Sequence, residues 1–96
     1  MSEVRKTPEF QKWLDNLNDP KTYARIETRL FRLALGLPGD VKPVGKGVSE
    51  LRIDYGPGYR VYFTKQGKLL IVILAGGDKS TQVKDIQNAI RLASTL

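Results

Sequence analysis

Lys68-Leu69-Leu70-Ile71-Val72-Ile73-Leu74-Ala75-Gly76-Gly77-Asp78-Lys79 is the stretch whose reading decides the fold. Its apolar run, Leu69 to Ala75, is short and bounded by glycines. It reads as a core strand covered on both faces, hence the middle of a sheet, and it is far too short to span a bilayer. The strand is expected to stop at Gly76-Gly77. Two charges and the polar opening of a helix follow at its carboxyl end, where mixed α and β domains often place a binding site.

The residues before this run alternate. Leu51, Ile53 and Tyr55 point one way, while Glu50, Arg52 and Asp54 point the other. Gly56-Pro57-Gly58 makes a turn, and the next strand puts Tyr59, Val61 and Phe63 on one face and Arg60, Tyr62 and Thr64 on the opposite one. Gln66-Gly67 then turns the chain into the apolar run. The spacing predicts an antiparallel meander whose polar face carries Glu50, Arg52, Arg60 and Tyr62 together.

Beyond the glycine pair, Ser80 or Thr81 can cap a final helix with Val83, Ile86, Ala89, Ile90 and Ala93 as its apolar stripe. That start brings Lys79, Gln82 and Asp85 to the end of the central strand, close to Arg52 and Arg60. This convergence is the sharpest candidate site. The glycine pair is not a nucleotide loop, because no lysine follows at the P-loop spacing and no GxGxxG pattern follows a strand.

Toward the N-terminus, Glu3 to Lys6 is expected to be a short edge strand. Thr7-Pro8 opens a helix to about Asn18, with Phe10, Trp13, Leu14 and Leu17 in one stripe. Asp19-Pro20 opens a second helix, which runs to Leu35, ends at Gly36 and completes a helical hairpin. Its spacing turns Tyr23, Ile26, Leu30, Leu33, Ala34 and Leu37 toward the core and gathers Arg25, Arg29 and Arg32 opposite. That arginine stripe is either a solvated face or a phosphate-contacting surface that positions RNA without reading its sequence. Gly36 to Pro43 is loop chemistry, with the sheet beginning near Val44 or Val48.

The whole chain, residues 1–96, reads as one domain. Without cysteine or histidine it has no disulfide, thiol nucleophile, imidazole base or usual zinc ligand set, so its chemistry falls to Lys, Arg, Tyr, Asp, Glu and hydroxyls. A net charge of +6 suits a polyanionic partner, most simply nucleic acid, although basic composition also serves solubility. Met1 to Lys6 lacks the apolar core of a signal peptide, so a cytoplasmic location with no membrane association is expected.

SELRIDYGPGYRVYF (Ser49 to Phe63) followed by LAGGDKSTQVKDI (Leu74 to Ile86) resembles the addiction-module killer proteins, HigB-like toxins of the RelE/ParE superfamily. The likeness extends over FQKWLDNL, RIETRLFRLALGLPGD and VGKGVSEL, and so over nearly the whole chain. It implies an α+β fold: a short N-terminal strand, a two-helix hairpin, an antiparallel meander and a C-terminal helix. It also implies a cognate antitoxin, of the helix-turn-helix, HigA-like kind, in a toxin–antitoxin hetero-oligomer. The implied activity is ribosome-dependent cleavage of mRNA, by attack of the ribose 2′-hydroxyl on the adjacent phosphate, with no cofactor and no metal.

Carried over by residue, the resemblance implies that Arg60 in Gly58-Tyr59-Arg60 stabilises the phosphate, with Arg52 and Lys79 flanking it. Asp85, Tyr62 and Glu50 are the candidates for proton transfer, since the chain has no histidine and no tyrosine after Tyr62. Arg25, Arg29, Arg32, Lys46, Tyr62 and Gln82 are the expected RNA contacts. Two alternatives stand beside this reading. Arg52 and Glu50 can simply pair with Asp54 and Arg60 across the sheet, and the chain can be a ParE-like poison of gyrase or an antitoxin-binding member that does not cleave.

Overall fold

The computed structural model describes residues 1–96. In chain order the elements are β1 (Glu3–Lys6), α1 (Pro8–Asp15), α2 (Pro20–Ala34), β2 (Val41–Gly45), β3 (Val48–Ile53), β4 (Tyr59–Gln66), β5 (Leu70–Asp78), a 3-10 turn (Lys79–Thr81) and α3 (Gln82–Ala93). They form a RelE-like α+β fold with one five-stranded sheet, ordered β1-β5-β4-β3-β2. β1 runs parallel to β5, and every other pair is antiparallel.

Both faces of the sheet are covered, which is why Leu70 to Ala75 of β5 is an unbroken apolar run. Ile71 and Ile73 join Leu51, Ile53, Val61 and Phe63 beneath Phe10 and Leu14 of α1 and Ile26, Leu30 and Leu33 of α2. Val72, Leu74 and Ala75 face the other way, with Val48 and Tyr62, under Ala89 and the flanking Ile86 and Ile90 of α3. Each fully buried aliphatic or aromatic side chain contributes about 1.5–3 kcal/mol, so both helical layers are needed. A register shift between Tyr62 and Phe63 leaves Leu74 unpaired and puts the consecutive Leu74 and Ala75 on the α3 face. Thr7 secures that irregularity: its hydroxyl donates to Leu74 O (2.7 Å) while accepting from Phe10 N to cap α1 (3.1 Å).

Several boundaries differ from those expected, each for a physical reason. β5 does not stop at Gly76-Gly77 but runs through them to Asp78. A Cβ on Gly76 would overlap the Trp13 ring, and one on Gly77 would overlap the Asp85 carboxylate, so the two glycines let α1 and α3 approach opposite faces of one strand. Leu69 lies in the loop before β5 and is 71% exposed, so the core run starts one residue later. α1 ends at Asp15, and Asn18 takes a left-handed φ of 51° that redirects the chain into α2. α2 closes on Gly36, whose N–H reaches Leu33 O while Leu37 N–H reaches Arg32 O. Tyr23 and Leu37 are exposed, and Thr22 is buried instead, its hydroxyl held by the capping carboxylate of Asp19 (2.7 Å). Val83 is 73% exposed and stands outside the apolar stripe of α3. β2 begins at Val41 despite Pro43, which an outer strand tolerates. No helix is long and apolar enough to cross a membrane.

Candidate functional site

Strand alternation and register together build the site. On the α3 face, Glu50 of β3, Tyr62 of β4 and Ala75 of β5 form one row, and Arg52, Arg60 and Gly77 form the next row toward the Gly58 turn. α3 roofs the first row. The second emerges where the 3-10 turn leaves β5. The expected polar face is therefore half interior: Tyr62 is fully buried and Glu50 is 1% exposed.

A buried carboxylate is stable only when it is paired and hydrogen-bonded. Glu50 meets that demand from three sides. Its Oε2 accepts from Tyr62 Oη (3.0 Å) and from Gln82 Nε2 (2.8 Å), and its Oε1 lies 3.9 Å from Arg52 Nε and 3.8 Å from Arg60 Nε. Both Nε atoms are buried and lack a hydrogen-bond partner. One carboxylate oxygen thus faces two guanidinium groups and satisfies neither fully. Burial first, and the Glu50 hydrogen bond second, push the Tyr62 hydroxyl well above the ordinary tyrosine range, so it stays protonated and donates.

Arg52 and Arg60 are directly opposite across β3 and β4. Like charges in that position repel, and Glu50 supplies one negative charge for the two. Asp40 adds a second contact to Arg52 at 3.4 Å, but it is 62% exposed and its attraction is screened. Arg60 Nη1 donates to Gly58 O and Tyr59 O, both at 3.3 Å, and this curls the guanidinium back over its own turn. Lys79 lies on the other flank of that turn: its Cβ is 3.4 Å, and Arg60 Nη1 3.6 Å, from the point where a Gly58 side chain would start. Gly58 itself has φ 82°, which favours glycine.

The 3-10 turn fixes the remaining groups. Asp78 caps it, accepting from Ser80 N (2.8 Å) and from the Ser80 hydroxyl, which holds the Asp78 carboxyl below the usual range. Thr81 Oγ1 donates to Asp85 Oδ2, and Asp85 lies against Gly77, the strand partner of Arg60. Arg52, Arg60, Lys79 and Asp85 therefore gather at one end of the sheet as expected. Gln82 joins them from beneath, spent on Glu50 rather than projecting outward.

Other expected contacts lie elsewhere. Tyr62 offers no surface on which a base could stack. Lys46 sits with φ 55° in the tight β2–β3 turn, at the opposite end of β3 from Arg52. Arg25 and Arg32 line a shallow basic depression with Lys21, Thr28 and Asp54 on the α2 side of the sheet, and Arg25 stacks 4.2 Å above the Tyr55 ring. Arg29 turns inward, donating to Arg52 O (2.7 Å) and Pro38 O (3.1 Å). Burial lowers its basicity, and Asp40 partly offsets that. Sequence reasoning missed this inward turn. It also weighed Glu50 only as an acid or a surface ion pair, although cross-strand pairing with a tyrosine beneath a helix was a signal for a buried counterion.

Two comparisons with known proteins each cover most of the chain. The family model described as phage-derived protein Gp49-like (DUF891) matches residues 12–96. An uncharacterized protein of Haemophilus influenzae is 47% identical over 94 residues, covering 98% of this chain and 95% of its own length. With this match across both the helical hairpin and the arginine-bearing strands, the chain belongs to the phage-derived Gp49-like family, a toxin-like family related to addiction modules.

Proposed function

We propose that this chain is the toxin of a type II toxin–antitoxin pair, HigB-like within the RelE/ParE superfamily, and that it cleaves mRNA on the ribosome. One observation carries this reading: two arginines directly opposite across β3 and β4 face one oxygen of a single buried carboxylate, which sets two guanidinium groups side by side at one end of the sheet. A phosphodiester is the complementary ligand.

In the reaction, the substrate's 2′-oxygen attacks the adjacent phosphorus, the bond to the 5′-oxygen breaks, and the products carry a 2′,3′-cyclic phosphate and a 5′-hydroxyl. Arg52 and Arg60 stabilise the charge that develops on the phosphorane oxygens. Asp85, partly exposed and oriented by Thr81, takes the 2′-hydroxyl proton, and Lys79 returns one to the leaving oxygen. Glu50 and Tyr62 are sealed from substrate, and their part is to hold the arginines. Lys21, Arg25 and Arg32 steer the polyanion through phosphate contacts. The partner is an antitoxin, of the helix-turn-helix, HigA-like type, which covers the arginine-bearing end of the sheet.

The ParE-like alternative, poisoning of a protein target such as gyrase, gains from one feature: of Asp85, Tyr62 and Glu50 only Asp85 has solvent access, which leaves protonation of the leaving oxygen to Lys79 alone. Inducing the chain alone and mapping mRNA 5′ ends on translated messages separates the two. Codon-positioned cuts support the nuclease. Growth arrest with altered DNA supercoiling and no new cuts would overturn it.

A further inference from the structure

Arg29 belongs by sequence to the outward basic stripe of α2, yet its guanidinium is spent on the chain's own backbone. Nη1 donates to Arg52 O at 2.7 Å and Nη2 to Pro38 O at 3.1 Å. Gly39, with φ 73°, packs so closely that an added Cβ would stand 3.1 Å from Nη2. The same loop delivers Asp40, whose carbonyl accepts from Arg52 N (2.9 Å) and whose carboxylate lies 3.4 Å from Arg52 Nη2. One side chain from α2 thus ties together the two segments that place Arg52, the end of β3 and the Pro38–Asp40 loop. It works on the face of the sheet opposite the one on which the Arg52 side chain meets Glu50.

We propose that Arg29 is a positioning residue for Arg52: it fixes the Arg52 backbone and its second counterion from behind, so that the guanidinium is presented beside Arg60. The inference rests on the reading of Arg52 as a phosphate-binding group. A planar fork of donors is what the geometry requires, because the two carbonyls belong to segments far apart in sequence and one ammonium cannot reproduce two divergent hydrogen bonds in a fixed plane. The inward turn also removes Arg29 from the surface stripe and leaves Lys21, Arg25 and Arg32 there.

The test compares wild type, Arg29→Lys, Arg52→Ala and, as a charge-conserving control at an exposed position of α3, Arg91→Lys. Cleavage of programmed ribosomes is measured at varied ribosome concentration, alongside spectra of the chain labelled with 15N-arginine. Arg29→Lys should reduce kcat about tenfold at little-changed KM, as expected when a group acting in the transition state is displaced. It should also shift the Arg52 Nε–H resonance while leaving that of Arg60 in place. If Arg52→Ala loses cleavage while Arg29→Lys behaves like Arg91→Lys, the positioning role is overturned and the site reading survives. If Arg52→Ala cleaves normally, the site reading itself falls, and the Arg52 resonance alone then judges the bracket. Should Arg29→Lys fail to fold, Gly39→Ala presses on the same guanidinium tip from an exposed loop, and an unmoved Arg52 resonance in that variant also overturns the proposal.

Discussion

Arg52 and Arg60 are direct partners across β3 and β4, and the Nε groups of both face one oxygen of Glu50, at 3.9 and 3.8 Å. Two like charges on one rung, with one buried counter-charge behind them, make an arrangement whose stability depends on Glu50. Removing one member of a buried charge cluster costs about 3–5 kcal/mol, because the others are left uncompensated. Glu50→Gln keeps the shape and removes the charge. It should lower the unfolding free energy by that amount in urea titrations. A loss under about 1 kcal/mol, within the range of an exposed ion pair, would mean that the arginines do not depend on Glu50.

Arg60 and Lys79 flank the Gly58 turn but differ in environment: the Arg60 side chain is 13% exposed, while Lys79 lies on the surface. Arg60→Ala should therefore relieve growth arrest and, by analogy with removal of one transition-state donor, reduce cleavage about 10²–10³-fold. Lys79→Ala should reduce it less, with a stability change within about 0.5 kcal/mol. Unchanged killing by both variants at equal expression would remove this end of the sheet from the mechanism.

Tyr62 gives a spectroscopic prediction. Its folded-state pKa is raised, so the native state holds the phenolic proton more tightly than the unfolded chain does. The stability this represents is present below the unfolded value near 10 and declines as pH rises beyond it. In an ultraviolet titration to pH 11, Tyr62 should remain protonated. The Tyr62 signal should appear only as the chain unfolds in stronger alkali. Ionisation of Tyr62 in the native state would show that the Glu50–Tyr62 contact is open to solvent.

Local pattern carried most of the fold. The period-2 alternation of Leu51 to Phe63 and the unbroken Leu70–Ala75 run place the strands and both covered faces, and proline behind Thr7 and Asp19 places both helix starts. What local pattern lacks is what covers a face. Glu50 and Tyr62 read as a polar face because alternation assigns sides but not depth, and only the docking of α3 makes that side an interior. Arg29 was hidden for the same reason: helical periodicity turns it outward with Arg25 and Arg32, whereas two distant carbonyls draw it in. Gly76-Gly77 was misread because glycine signals both chain reversal and close packing, and the choice depends on Trp13 and Asp85, which are distant in sequence.

Those glycines supply the last prediction. A methyl group at Gly77 would occupy the position of the Asp85 carboxylate, and one at Gly76 that of the Trp13 ring. Overpacking of this kind typically costs about 1–3 kcal/mol. The consequences should nevertheless differ, because Trp13 belongs to the core while Asp85 belongs to the candidate site. Gly76→Ala should lower stability and leave the per-molecule activity of the folded fraction near wild type. Gly77→Ala should lower activity beyond its loss of stability, since Asp85 is driven away from Arg60's neighbour on β5. Double-mutant cycles check the geometry: Gly77→Ala should couple to Asp85→Ala, and Gly76→Ala to Trp13→Leu, by about 0.5–3 kcal/mol. The crossed pairs, on opposite faces of the strand, should add independently. Strong coupling in the crossed pairs would contradict the opposite-face placement on which the site is built.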